Sequence, residues 1–264
     1  MSEIEYEVVD HVAHVRLNRP DKHNGLTLPM LDGLTAAAER AAKDKSLRAV
    51  LIYGNGSSFC SGLDFGTVGK DRVGVAKTFV PNPLTGANSF QTPGWAWRSV
   101  PVPVIAVITG HCYGGGLQIA LGADFRYAAT DADLSILEAK WGLIPDMSLS
   151  MSIAQLTGID IAKRLTMTGE MVTADYAKQI GLVSEVSDDP MAEAMEFIEV
   201  IKQQSPDAIA AAKELFERTW NQGPRSSFGT EQRLQLRMLR GYNSGIARKA
   251  GLKREKPEFR ERQF

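Results

Sequence analysis

Two glycine-containing turns and two carboxylates are the groups with which this sequence could do chemistry. The turns are Phe59-Cys60-Ser61-Gly62-Leu63-Asp64 and Gly114-Gly115-Gly116-Leu117-Gln118, each just after a short apolar run. Glycine lets backbone N–H groups approach a ligand closely and adopts conformations that other residues avoid. At the start of a helix those N–H groups also lack intrahelical partners, and the helix dipole favours negative charge there. One donor from each turn, aimed at the same point, would make an oxyanion hole. Such a hole suits a thioester carbonyl that becomes enolate-like, with each donor worth about 3–4 kcal/mol of barrier. Taken alone, either turn reads as tight strand-to-helix packing.

The carboxylates are Glu138, in Ile136-Leu137-Glu138-Ala139-Lys140-Trp141, and Asp146, after Ile144-Pro145. An apolar setting raises a carboxyl pKa and suits a base that both takes and returns a proton. The plainer alternative for Glu138 is a surface glutamate paired with a lysine. Asp146 precedes a helix, where it would serve as an N-cap worth about 1 kcal/mol. Gln118 sits among Leu117, Ile119 and Leu121. Its amide can orient a water or a substrate, but it accepts no proton at any useful pH. It is equally able to bond to backbone.

Other chemistries lack their usual entry point. Gly54-x-Gly56 has Phe59 where a dinucleotide fingerprint needs its third glycine, and the sequence contains no GxxxxGK[ST], HExxH or G-x-S-x-G. The two cysteines, Cys60 and Cys112, make neither a disulfide framework nor a zinc cluster. Thirty basic and thirty-one acidic residues give a formal charge of -1, which points to neither nucleic acid nor an anionic membrane. The first residues, Met1 to Glu5, are acidic and carry no signal core or Arg-rich transit pattern. The densest apolar run, Val102–Ile108, falls well short of the ~20 residues of a spanning helix. With 264 residues, 44% hydrophobic and 23% charged, the expectation is a cytoplasmic globular enzyme with a full core.

The elements that must position these groups alternate along the first half. Tyr6–Val9 and Val12–Leu17 read as strands joined by a turn at Asp10-His11. Thr27 caps a helix with Pro29 in its first turn and Leu31, Leu34, Ala38, Ala41 and Ala42 on one face. Strands follow at Ala49–Tyr53, Pro103–Ile108 and Asp124–Ala128, with a short buried helix over Leu117–Leu121. Residues 66–98 have weak periodicity and hold Phe79, Phe90, Trp95 and Trp97, so they read as a lid lending apolar side chains to a pocket. Helices are expected at Met147–Leu156, Thr173–Ile180, Met191–Gln204 and from Ser205-Pro206 to Trp220. An amphipathic segment from about Phe228 follows, ending in the solvated run Lys253-Arg254-Glu255-Lys256. The class is α/β with a helical C-terminal part.

In this order and spacing, several segments resemble the enoyl-CoA hydratase/isomerase (crotonase) superfamily. They are Leu17-Asn18-Arg19-Pro20, Ser58–Asp64, Pro103–Gly116, Ala123-Asp124-Phe125-Arg126, Glu138–Pro145 and Ala177–Val183. The resemblance implies a crotonase-like ββα-spiral core over residues 1–195 and a helical trimerisation region over 196–264, giving a homotrimer or hexamer. It implies an acyl-CoA substrate and no cofactor or metal, the CoA thioester being the substrate itself. It puts the two oxyanion donors on the N–H groups of Ser61 and Gly115, and CoA contacts on Lys22, His23 (through its backbone), Leu63 and Asp64. Hydratases of the family place glutamates at positions 118 and 138, whereas this chain has Gln118 with Glu138. An aspartate at position 146 resembles the dienoyl-CoA isomerases, which also carry an aspartate at position 118. It resembles the 4-chlorobenzoyl-CoA dehalogenases too, which have tryptophan at position 138. Hydration and double-bond isomerisation of an enoyl-CoA in fatty-acid metabolism both use this arrangement: family frequency favours a hydratase, whereas Glu138 with Asp146 suits proton shuttling better, with Gln118 orienting substrate or water. A CoA-thioester-binding protein without catalysis and a thioester hydrolase are the alternatives.

Overall fold

The computed structural model describes residues 2–264, so Met1 lies outside it. Strands β1 (Ile4–Val9) and β2 (Val12–Leu17) form the expected hairpin, with Asp10 and His11 both at positive φ in the turn. Helix α1 (Leu28–Lys43) starts where Thr27 accepts the Met30 N–H, and it buries Leu31, Leu34, Ala38 and Ala41. Strand β3 (Ala49–Gly54) follows. The segment expected to be an irregular lid instead holds three short helices: α2 (Phe65–Val68), α3 (Arg72–Thr78) and α4 (Thr92–Trp95). Next come β4 (Val104–Ile108), β5 (His111–Tyr113), α5 (Gly115–Ala120), β6 (Phe125–Ala129) and β7 (Asp133–Ser135). A 3-10 turn spans Glu138–Trp141. It is followed by α6 (Leu149–Ile153), α7 (Ile159–Thr168), β8 (Val172–Thr173), α8 (Ala174–Gln179), β9 (Glu185–Ser187) and α9 (Pro190–Lys202). The chain closes with α10 (Pro206–Thr219), α11 (Pro224–Arg240) and α12 (Tyr242–Lys253).

The main sheet has the order β1-β2-β3-β4-β6-β9, parallel except for the first hairpin. Its central strands are apolar on both faces because both are covered. Val15, Val50, Ile52, Ala106 and Ile108 join the principal core, while Leu51, Ile105, Val107 and Tyr127 face α9 through Ala194 and Ile198. Each long strand is followed by a short extended piece in a second layer. β4 leads to β5, β6 leads to β7, and bridges pair Leu26 with Leu63 and Cys60 with Cys112. A strand, a second-layer strand and a helix thus repeat along the chain, which is the spiral that the resemblance implied.

The boundary expected at 195/196 falls inside α9. Ala194 and Ile198 of that helix are both fully buried against the sheet, so the helix belongs to the core and the peripheral helical region starts at α10. Two anchors tie this region down. On α10, Lys213 Nζ reaches the Asp124 carboxylate at 2.6 Å and the carbonyls of Trp97 and Val102. At the C-terminus, Asp207 accepts from Gln263 N–H at 2.6 Å, and Arg262 bonds to the Asp44 carbonyl at the end of α1. Lys213 is buried, and burial holds its pKa below the ordinary lysine value despite the aspartate. Lys213→Met would leave the Asp124 carboxylate buried without its counter-charge. Breaking such a pair from one side costs about 3–5 kcal/mol, so the unfolding free energy should fall by that amount, seen in urea as a lower midpoint at unchanged slope. A shift below 1 kcal/mol would show that Asp124 finds another partner.

Candidate functional site

The glycine turns meet at one cavity of about 380 Å³, lined by Leu63, Gly114, Gly115, Glu138, Asp146 and Met147 together with an apolar wall. Its two potential donors follow from peptide geometry. The C=O and N–H of a trans peptide point in opposite directions, and none of the described peptides is cis. The Gly62 carbonyl accepts the Leu26 N–H at 2.8 Å, so the Leu63 N–H of the same peptide faces away from that strand. The Gly114 carbonyl accepts the Gln118 N–H at 3.0 Å inside α5, so the Gly115 N–H points out of the helix start. Neither N–H has an acceptor among the described residues, and both residues line the cavity.

Ser61 does not fit the donor role expected of it. Its N–H is spent on the His23 carbonyl at 2.9 Å. Ser61 and Leu63 both line the cavity, but Gly62 between them, at φ +93°, breaks the strand alternation, and the free N–H is that of Leu63. The pattern Ser61-Gly62-Leu63 held this signal, since a glycine inside an extended run marks a local reversal. Two further glycines allow the close approach. Gly114 sits at φ +50° with the Glu138 carboxylate 3.3 Å from where a Cβ would be, and a Cβ on Gly116 would lie 2.6 Å from Cys60 Cβ.

Glu138 opens the 3-10 turn and is buried, not a surface partner for a lysine. Its Oε1 accepts from Gln118 Nε2 at 2.6 Å, and its buried Oε2 has no hydrogen-bond partner among the described residues. Burial pushes its pKa up, its own backbone N–H and then the Gln118 bond partly offset this, and the nearby Asp146 charge adds to the rise. Burial raises Asp146 as well. Asp146 is not the N-cap anticipated, because α6 starts at Leu149 behind Ser148, and its carboxylate is left to the cavity. Gln118 is buried and absent from the cavity wall. Its Oε1 accepts the Met147 N–H at 2.8 Å, so both ends of its amide are spent on protein and not on substrate or water.

The expected CoA contacts are distributed differently. Asp64 caps α2 by accepting from Thr67 N–H and Oγ1 and pairs with Arg19 at 3.0 Å, interactions that hold its pKa low, so its carboxylate is committed to the fold. The His23 backbone is equally occupied: its carbonyl takes Ser61 N–H, its N–H goes to Pro20, and its ring bonds to Ser58 Oγ at 3.0 Å. Lys22 is exposed beside this loop and forms no ion pair among the described residues. Leu63 is a cavity residue. Of the four aromatics expected from the lid, Phe79 and Phe90 line the cavity and pack on each other at 5.3 Å. Trp97 is core, and Trp95 lies under Arg98. The wall gains Phe65 and Trp141, paired at 5.0 Å, plus Leu143 and Ile144. Cys60 is buried and its thiol is pushed up to about 12, too high for a nucleophile near neutrality. Among the described residues no three His, Cys, Asp or Glu side chains are grouped to hold a metal ion.

The spiral brings two unbonded amides and a buried carboxylate to one cavity, an arrangement able to hold an acyl oxygen and take up a proton nearby. The family model described as enoyl-CoA hydratase/isomerase matches residues 7–262, and the chain belongs to that family. It is 31% identical to (E)-benzylidenesuccinyl-CoA hydratase of Thauera aromatica, over 79% of each chain. It is also 31% identical to the mitochondrial Delta(3,5)-Delta(2,4)-dienoyl-CoA isomerase of Mus musculus, over 77% of this chain and 64% of the relative. The crystal structure of enoyl-CoA hydratase from Bacillus anthracis superimposes with a TM-score of 0.87 at 26% identity, covering 97% of this chain and 98% of the other.

The raised pKa of Glu138 has a consequence for stability. In the unfolded chain it ionises near its ordinary 4.5, whereas the folded protein holds the proton to higher pH. The folded state therefore binds more protons in that window, and stability falls as pH rises through it. Glu138→Gln should remove this penalty. Its stability relative to wild type should increase from about pH 4.5 towards neutrality, where urea unfolding reads it. A difference that is constant with pH would place the carboxylate in a water-like setting.

Proposed function

We propose that the cavity takes the acyl-thioester end of an acyl-CoA and moves a proton on it through an enolate. The observation that carries this reading is the pair of unbonded N–H groups, Leu63 and Gly115, in one cavity with a buried carboxylate of raised pKa. The thioester oxygen accepts both N–H groups. Charge that develops on it during deprotonation is met by donors already in place, at no cost of reorganisation. Glu138 removes a proton through its free Oε2, the double bond shifts, and a proton returns at another carbon, with Asp146 as the second carboxyl. No atom is gained or lost, so the net reaction is double-bond isomerisation. Hydration with two glutamates is disfavoured because the Gln118 amide neither gives up nor takes a proton at any useful pH. The CoA thioester is the substrate, so no further cofactor enters the scheme, and Lys22 is the exposed cation at hand for a phosphate.

Glu138 and Asp146 are the only ionisable side chains in the cavity wall among the described residues. A second carboxylate on the acyl group would meet two like charges and no cation, so the reading includes an uncharged acyl group. A homotrimer or hexamer and a cytoplasmic location complete it. Exposed Phe216, Trp220 and Phe228 on the C-terminal helices support assembly, and among the described residues no helix is long and apolar enough to cross a membrane.

The test is a panel of 2-enoyl-, 3-enoyl- and 3,5-dienoyl-CoA thioesters in deuterated water, with products identified by mass and absorbance. Deuterium incorporation with double-bond migration is expected, and Glu138→Gln should slow it at least about 100-fold. Binding with neither exchange nor turnover would make the protein a thioester binder, and release of free CoA would make it a hydrolase. Within the same panel, an enoyl-CoA ending in carboxylate should have a kcat/KM at least tenfold below that of its methyl-ended analogue. Equal values would refute the uncharged acyl group.

A further inference from the structure

Gln118 is a buried side chain that touches neither the cavity nor solvent, yet three parts of the site meet at it. It lies one turn beyond Gly115 on α5, its Nε2 donates to Glu138 Oε1 at 2.6 Å, and its Oε1 accepts from the N–H of Met147, the residue after Asp146. The amide orientation is fixed by chemistry. The Met147 N–H can only donate, so the oxygen must face it and the NH2 must face the carboxylate. One oxygen of Glu138 is therefore held while the other is left buried and unbonded.

We propose that Gln118 is a positioning residue that assigns different tasks to the two oxygens of Glu138. Oε1 is the fixed end, and Oε2 is the single point through which a proton passes. The same amide fixes the Asp146–Met147 segment to α5, so both carboxylates keep a set position relative to the Gly115 N–H. A glutamate at position 118 could not do this in ionised form. Two carboxylates within 2.6 Å cannot both be charged, and the pair would share a proton and titrate as a unit. The neutral amide lets Glu138 act as one independent base. The groups around Glu138 are few. Asp146 is the charge that acts on it, α5 offers neutral Gln118, Lys140 of the same 3-10 turn packs beside Gly169, and Arg164 of α7 is paired with Glu170 at 2.8 Å.

This inference rests on the reading of Glu138 as the base, and its test separates the two. The variants are Gln118→Met, which keeps shape without the hydrogen bond, and Gln118→Glu. The readouts are the pH profile of deuterium exchange into an acyl-CoA and the carbon-13 NMR titration of the Glu138 carboxyl, which needs no turnover. Removing a donor to the ionised form raises its pKa, so Gln118→Met should move the acid limb of kcat/KM and the NMR midpoint to higher pH. It should also lower kcat about tenfold or more with KM changed less than threefold. Gln118→Glu, whose carboxyl would share a proton with Glu138, should replace the single midpoint by two coupled steps, one below and one above the wild-type value. Midpoints unchanged in both variants would reduce Gln118 to core packing and overturn the proposal. If wild type shows no exchange while the NMR midpoint still moves, the functional reading fails and the positioning role stands.

Discussion

A peptide whose carbonyl is already bonded must point its N–H somewhere else, and this site is built from that constraint. Leu26 and Gln118 take the carbonyls of Gly62 and Gly114, and the N–H groups of Leu63 and Gly115 are left facing one cavity. Everything around them serves to keep these four backbone groups in register. The Leu26–Leu63 and Cys60–Cys112 bridges hold the second layer, and the missing side chain of Gly116 lets α5 press against Cys60. The fold leaves these two N–H groups without a protein acceptor, at two positions that a ligand oxygen can fill.

The carboxylates show a second balance. Burial drives the proton onto Glu138, while the Gln118 amide draws the group back towards ionisation. A base for carbon acids needs this middle position, because it must accept a proton readily and also release it. Asp146, in the same cavity, is raised by burial too, so each carboxyl has reason to hold a proton while the other is charged.

Much of this was legible in the sequence because local rules and tertiary demands agree. Thr27, Pro29 and the Leu31–Leu34–Ala38–Ala41 stripe specify α1, and the apolar runs at Ala49–Tyr53 and Pro103–Ile108 can only be strands covered on both faces. The cavity's glycine turns and Glu138 were likewise visible as residue types. The parts that escaped depend on directions that composition does not encode. Ser61 and Leu63 differ in where one N–H points, a consequence of the positive φ at Gly62. Asp146 lost its capping role because α6 begins three residues beyond it, past Met147 and Ser148. Helix α7 was not among the expected elements: Leu165 is its one buried residue, with Ile161 and Ala162 only partly buried beside it, while Ile159 and Met167 face outward.

The anion grip belongs to the main chain, and this divides the labour of the protein in a lasting way. No exchange of side chains at positions 63 or 115 deletes an N–H short of introducing proline. In the proposed reaction the choice of which carbon gains or loses a proton rests, by contrast, on side chains at 118, 138 and 146 that a single codon can alter. On that reading, lineages built on this scaffold can drift in regiochemistry while the main-chain donors are inherited unchanged.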